Sequence, residues 1–119
     1  MPQDTLEKLR EQLSEFAKVR NWEQFHSPKN LSMALSAEVA ELIEHFQWLT
    51  EKQSYELSPQ KLEEVGYELA DIFIYLIRIA DKLDVDLLDV AYKKMAINEK
   101  RYPVEKVKGD ARRASEYEN

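Results

Sequence analysis

The 119-residue chain has no cysteine, two glycines and four prolines. The absence of cysteine excludes disulfides and thiolate metal sites, and it suits a reducing compartment. So little glycine speaks against a β-sandwich or a Gly-rich loop protein and for helix. No apolar run approaches the roughly 20 residues that a bilayer span requires, and the start, MPQDTLEKLR, carries no apolar signal core. The expectation is a soluble, cytoplasmic protein without membrane association. Positive charge is also in deficit, with 17 basic against 23 acidic side chains and a net charge of −6. Binding to a nucleic acid duplex depends on neutralising phosphates, so duplex nucleic acid is not an expected partner. A divalent cation suits the balance better.

What is present is 44% hydrophobic and 34% charged, enough for one core, complete alone or shared with a partner. The fold class is all-α, with a four-helix core. Leu6, Leu9, Leu13, Phe16 and Ala17 recur at three- and four-residue spacing and predict a helix over about 5–20. Ser27-Pro28 and Ser58-Pro59 each read as an N-cap followed by the proline favoured at the first helical position. They open helices over about 28–50 and 59–83. Asp84 or Asp86 caps a fourth, over about 86–101, which Pro103 ends. Residues 1–103 are read as one domain and 104–119 as a loose tail, irregular or docked on a partner.

The second helix places Leu31, Leu35, Val39, Leu42, Ile43, Phe46 and Leu49 in one apolar stripe. Glu38 and Glu41 lie side by side on its rim, about 60° apart on ideal helical geometry. A shift of thirty residues lays ELADIFIYLIRI over EVAELIEHFQWL. Glu68 then falls on Glu38, Asp71 on Glu41 and Tyr75 on His45, with apolar positions in register. If the two helices pair antiparallel through matching stripes, four carboxylates face one space. Like charges so placed raise one another's pKa and oppose folding, so they require compensation. An oxygen-only ligand set suits a hard cation, Mg²⁺ first and Mn²⁺ second, completed by phosphate oxygens of a ligand. The plain alternative for each pair is a solvated helix flank, and Glu64, one turn before Glu68, reads that way.

Lys94, Asn98 and Arg101 share a face of the last helix and can hold phosphate oxygens, or else complement the helix dipole. Trp22, Phe25 and His26 crowd one loop, and Trp48 lies at the end of the second helix on Glu41's side. Aromatic side chains beside a phosphate site suggest a stacked base, with core packing as the alternative. Glu23 and His26 form one Glu-x-x-His spacing and His45 reads as a flank residue.

The ExxE and ExxD pairs, EVAE and ELAD, together with RNWEQFHSPKNL, EHFQW, DIFIYL and KMAINEKRYP in that order, resemble the MazG-like all-α nucleoside triphosphate pyrophosphohydrolases. The likeness is to their short dCTP pyrophosphatase-like branch and covers about Leu13 to Pro103. It implies Mg²⁺-dependent hydrolysis of a nucleoside triphosphate, dCTP-like, to monophosphate and pyrophosphate, as nucleotide-pool house-cleaning. Glu38, Glu41, Glu68 and Asp71 would be the catalytic and metal-binding residues, and Lys94, Asn98 and Arg101 would contact phosphates. Trp22, His26, Asn30, Trp48, Tyr75 and Tyr102 would contact base or sugar. The resemblance further implies homodimers or homotetramers with sites at subunit interfaces. The sequence departs from the branch in its last residues, DARRASEYEN, and in Leu13, where vertebrate members carry histidine. Two other readings remain: a non-catalytic helical interaction or regulatory protein that keeps its acidic pairs for structure, and a di-iron bundle. The last expects paired Glu-x-x-His motifs, and only Glu23-His26 has that spacing.

Overall fold

The computed structural model describes residues 5–112 and 114–116. The expectations for the first residues of the chain and for the end of the tail therefore lie partly outside the described residues. All regular structure among the described residues is helical: α1 (Leu6–Val19), α2 (Pro28–Glu44), α3 (Glu51–Ser54), α4 (Pro59–Lys82), α5 (Leu87–Arg101) and α6 (Val104–Val107), with 3₁₀ turns at Glu23–Phe25 and Ala114–Glu116. The chain divides into two compact units between Val85 and Asp86. Among the described residues no helix is long and apolar enough to cross a membrane.

The caps predicted at Ser27, Ser58 and Asp86 form, and Thr5, read from sequence as the first helical residue, caps α1 instead. The hydroxyls of Thr5, Ser27 and Ser58 and the carboxylate of Asp86 accept from backbone N–H groups of Lys8, Asn30, Lys61 and Asp89. Each satisfies a donor that the helix leaves without a partner. Ser58→Ala is expected to cost about 1 kcal/mol in a urea unfolding experiment, the usual loss for a removed N-cap.

Two helices end alike. Asn21 (φ 56°) follows α1 and Asp84 (φ 54°) follows α4, both in the left-handed region. The N–H groups of Trp22 and Val85 reach back to the carbonyls of Ala17 and Ala80 at 2.9 and 2.8 Å. These are the six-to-one bonds of a Schellman end, which Asn and Asp accept at modest cost.

The second helix is shorter than the sequence suggests, ending at Glu44 instead of about residue 50. Thr50 is the cause. It sits in extended conformation (φ −73°, ψ 164°) and forms a reciprocal capping box with Gln53, starting α3. A residue so placed cannot continue α2, and Phe46 and Leu49 accordingly lie in the intervening turn, outside the helical stripe.

In the first unit α4 packs chiefly against α2 and less extensively against α1. The α2–α4 pair is antiparallel. His45, at the end of α2, meets Lys61 at the start of α4, whereas His26, just before α2, meets Arg78 near the end of α4. The core is small: Ala17, Leu31, Val65, Ile77 and Ala80, with Arg78 as the one buried charge among the described residues. Of the expected stripe Leu31 is buried and Leu35 and Leu42 half-buried. Val39, Ile43, Leu69, Phe73 and Leu76 each remain at least 38% exposed.

In the second unit Tyr102 N–H bonds to the Asn98 carbonyl at the end of α5 (2.8 Å). The tail has some regular structure: α6 makes one turn, Gly109 takes φ 79°, and Arg112 forks onto the Asp110 carboxylate.

Candidate metal centre

Antiparallel pairing of α2 and α4 brings Glu38, Glu41 and Glu68 together. Each offers one carboxylate oxygen, and the three oxygens lie within 4.8 Å of one another. One Oε2 of Glu38 and one of Glu68 are buried without a hydrogen-bond partner among the described residues. An unpartnered buried carboxylate oxygen is costly, and two on neighbouring residues are costlier. Burial, then the neighbouring carboxylates of Glu41, Asp71 and Glu68, push Glu38 up to about 7. Glu68 is also raised, first by burial and then by Glu41. Asp71 adds its charge to both. Tyr75, one turn further along α4, is raised by burial and then by Glu38, Asp71 and Glu41, so its ring lies in the same field.

The site fits a cation on its own observations: oxygen donors only, no thiol, mutual repulsion that a positive ion relieves, and a buried carboxylate oxygen on each of Glu38 and Glu68 with no hydrogen-bond partner among the described residues. On the far side of Glu68 stands His45, a residue read from sequence as a mere flank. Its Nδ1 accepts from Lys61 Nζ at 3.3 Å and its Nε2 lies 3.9 Å from Glu68 Oε1. The lysine can only donate, so the ring proton sits on Nε2, towards the carboxylate. Lys61 also pairs with Glu64 at 3.4 Å, which makes Glu64 part of a surface ion pair.

The aromatic loop is built from the end of α1. Trp22 meets Phe16 edge-on at 5.7 Å and His26 at 6.2 Å, and the Arg20 guanidinium covers the Phe16 ring at 3.5 Å. Asn30 turns its amide back to the Phe25 carbonyl (3.1 Å), bracing this loop. Trp48 lies in the turn after α2, 87% exposed, and not on the helix itself. Within the second unit Lys94 and Arg101 are exposed on α5, Asn98 and Tyr102 are half-buried, and the Arg101 guanidinium is 5.8 Å from the Tyr102 ring.

Sequence reasoning passed over Arg78. It is 3% exposed and donates to Glu23 Oε1 at 2.8 Å and Asp81 Oδ2 at 3.2 Å, while Arg10 holds the other Asp81 oxygen at 2.8 Å. Lys82 pairs with the second oxygen of Glu23. The only signal was a charge within the apolar run IYLIRIA.

Comparison with known proteins places these residues in context. Residues 33–116 match the model of the MazG-like family. Human dCTP pyrophosphatase 1 is 42% identical over 117 residues, which span 97% of this chain and 69% of the human protein. The mouse protein of the same name is 44% identical, over 92% of this chain and 66% of its own. The chain thus corresponds to about two thirds of these relatives' length. The crystal structure of a pyrophosphatase from Archaeoglobus fulgidus superposes with a TM-score of 0.78 at 38% identity, covering 82% of this chain and 92% of that one.

Proposed function

The chain belongs to the MazG-like family, and from that premise we propose that it is a divalent-metal-dependent nucleoside triphosphate pyrophosphohydrolase of the nucleotide pool. One observation carries the reading most: the buried, unpartnered oxygens of Glu38 and Glu68 beside Glu41. Glu38, Glu41, Glu68 and Asp71 are the residues that would hold the metal, with Mg²⁺ the first choice and Mn²⁺ the second. When bound, the ion neutralises charge on the triphosphate and on the leaving group.

The chain's own residues do the rest. With a metal bound, the carboxylates would hold it where it can take the triphosphate oxygens, and one of them, Glu41 for example, would orient the attacking water and take up its proton. Attack at the α-phosphorus breaks its bond to the bridging oxygen, releasing pyrophosphate and the monophosphate. Lys94, Asn98 and Arg101 are assigned to the phosphates, and Trp22, His26, Trp48, Tyr75 and Tyr102 to base and sugar. Asn30 serves the base side through the loop that its amide braces. Preference for dCTP follows the relatives' name. Residues 1–103 would act as one functional domain, in the cytoplasm, as a homodimer or homotetramer. The apolar side chains of Val39, Ile43, Leu69, Phe73 and Leu76, each at least 38% exposed, support a second copy covering them.

A panel of ribo- and deoxynucleoside triphosphates, assayed with Mg²⁺ and resolved by anion-exchange chromatography, tests this. The expected products are monophosphate and pyrophosphate, with dCTP among the best substrates. Diphosphate with orthophosphate, or no turnover of any triphosphate, would refute the reading.

A further inference from the structure

Glu68, Asp71, Tyr75 and Arg78 lie within about 80° of one another around α4, so the face that carries the carboxylates continues to Arg78. From Asp71 to Arg78 the helix rises about 10.5 Å, the scale of a nucleotide lying along it. At the near end sits the candidate metal centre. At the far end a buried cation grips the loop of Trp22 and His26. We propose that Arg78 is the positioning residue of the base-binding side: through Glu23 and His26 it fixes this loop against α4 and sets substrate affinity without taking part in the chemistry. This inference rests on the functional reading above.

The geometry supports it in three ways. Besides its bond to Asp81 within α4, the Arg78 guanidinium donates across a sequence gap of 55 residues to Glu23 at 2.8 Å, so it ties the 3₁₀ turn Glu23–Phe25 directly to α4. A bridge made by a 96%-shielded side chain (4% exposed) is far less screened than the surface pairs of the chain. Second, Arg78 Nη2 lies 3.3 Å from His26 Nδ1. Guanidinium has no acceptor, so Nδ1 must accept, and the imidazole is neutral with its proton on Nε2. His26 is thereby a fixed N–H donor for an acceptor atom of base or sugar. Its surroundings keep it so: burial first, then Arg78 and Lys82 from α4, hold its pKa below the ordinary histidine value, and Glu23 opposes them. Third, the Trp22 ring lies 6.2 Å from the His26 ring, tilted at 58° to it, so the same grip orders the aromatic surface.

The test compares wild type with Arg78→Met and Glu23→Gln. Asp81 keeps Arg10 as partner in the first variant, and the second alters a carboxylate whose side chain is 40% exposed, so it folds even if the first does not. Both variants should raise KM for the best substrate about tenfold or more and leave kcat within about twofold, the pattern of lost binding rather than lost chemistry. Long-range ¹H–¹⁵N NMR should show His26 as the Nε2–H tautomer in wild type and lose that bias in Arg78→Met. Unchanged KM in the folded variants, a fall in kcat as large as the rise in KM, or an Nδ1–H tautomer in wild type would overturn the role of Arg78. A wild type that hydrolyses no triphosphate would instead overturn the functional reading, and this inference with it.

Discussion

Glu38→Gln should lower Mg²⁺-dependent turnover on the order of 1,000-fold and, in the metal-free protein at pH 8, raise Tm by several degrees. The two effects have one cause. Glu38 carries an oxygen that is buried without a partner among the described residues and stands among Glu41, Glu68 and Asp71. As a metal ligand Glu38 would need its charge; as a structural element the same charge is repelled and poorly solvated. Glutamine keeps the shape and removes the charge, so it relieves the repulsion while taking away the anionic oxygen that a hard cation prefers. Glu68→Gln should behave similarly, because Glu68, like Glu38, is raised by burial and by Glu41 and Asp71. Initial rates with thermal unfolding on the same samples check both halves. A variant that loses activity and stability together would point to a collapsed fold instead, and one that keeps its activity would remove Glu38 from the metal centre.

The stability of the metal-free protein should fall as pH rises from about 4.5 to about 7, and Mg²⁺ should reverse the fall. Glu38 titrates near 7 in the folded chain against an ordinary value of 4.5. Below the lower value it is protonated folded and unfolded alike, and its like-charge penalty is absent. Between the two the unfolded chain has released its proton and the folded chain retains it, so each increment of pH favours unfolding. Above about 7 the folded carboxylate is ionised too and the loss is complete. Glu68, raised in the same direction, adds to the slope. A cation binds only the ionised set, so its stabilisation grows across the same window. At a Mg²⁺ concentration 100 times Kd it should reach about 2.7 kcal/mol. Urea unfolding at pH 5 and pH 8, with Mg²⁺ and with EDTA, gives the four numbers required. Equal Mg²⁺ stabilisation at both pH values would place the ion somewhere other than these carboxylates.

The sequence made the helices legible because each carries its own signals. Ser27-Pro28, Ser58-Pro59 and Asp86 start helices where expected, and apolar periodicity identifies their extents except in α2, which stops at Glu44 although the stripe continues to Phe46 and Leu49. Helix α3 escaped because four residues are too few for periodicity, and its one signal, the capping box of Thr50 with Gln53, lay in a stretch that looked like loop. The acidic pairs were legible through repetition, since the thirty-residue echo of EVAE in ELAD required only that the two helices pair antiparallel. Their partners were not. Lys61 on His45, His45 beside Glu68, and Glu23 with His26 on Arg78 are contacts between distant positions that no local pattern marks. Periodicity also shows which face of a helix is apolar but not what covers it, which is why Val39, Ile43 and Phe73 could be read as core and yet stand exposed in the chain alone.

The central claim is that Glu38, Glu41 and Glu68 form, with Asp71, a metal centre that receives a nucleoside triphosphate. Isothermal titration of the protein with an α,β-non-hydrolysable dCTP analogue, with and without Mg²⁺, tests it most directly. Coupled binding is expected, with the analogue at least about tenfold tighter in Mg²⁺ and the coupling abolished in Glu38→Gln. Binding that ignores Mg²⁺, coupling that survives the substitution, or no binding at all would contradict it, the last being what a catalytically silent helical interaction protein would give.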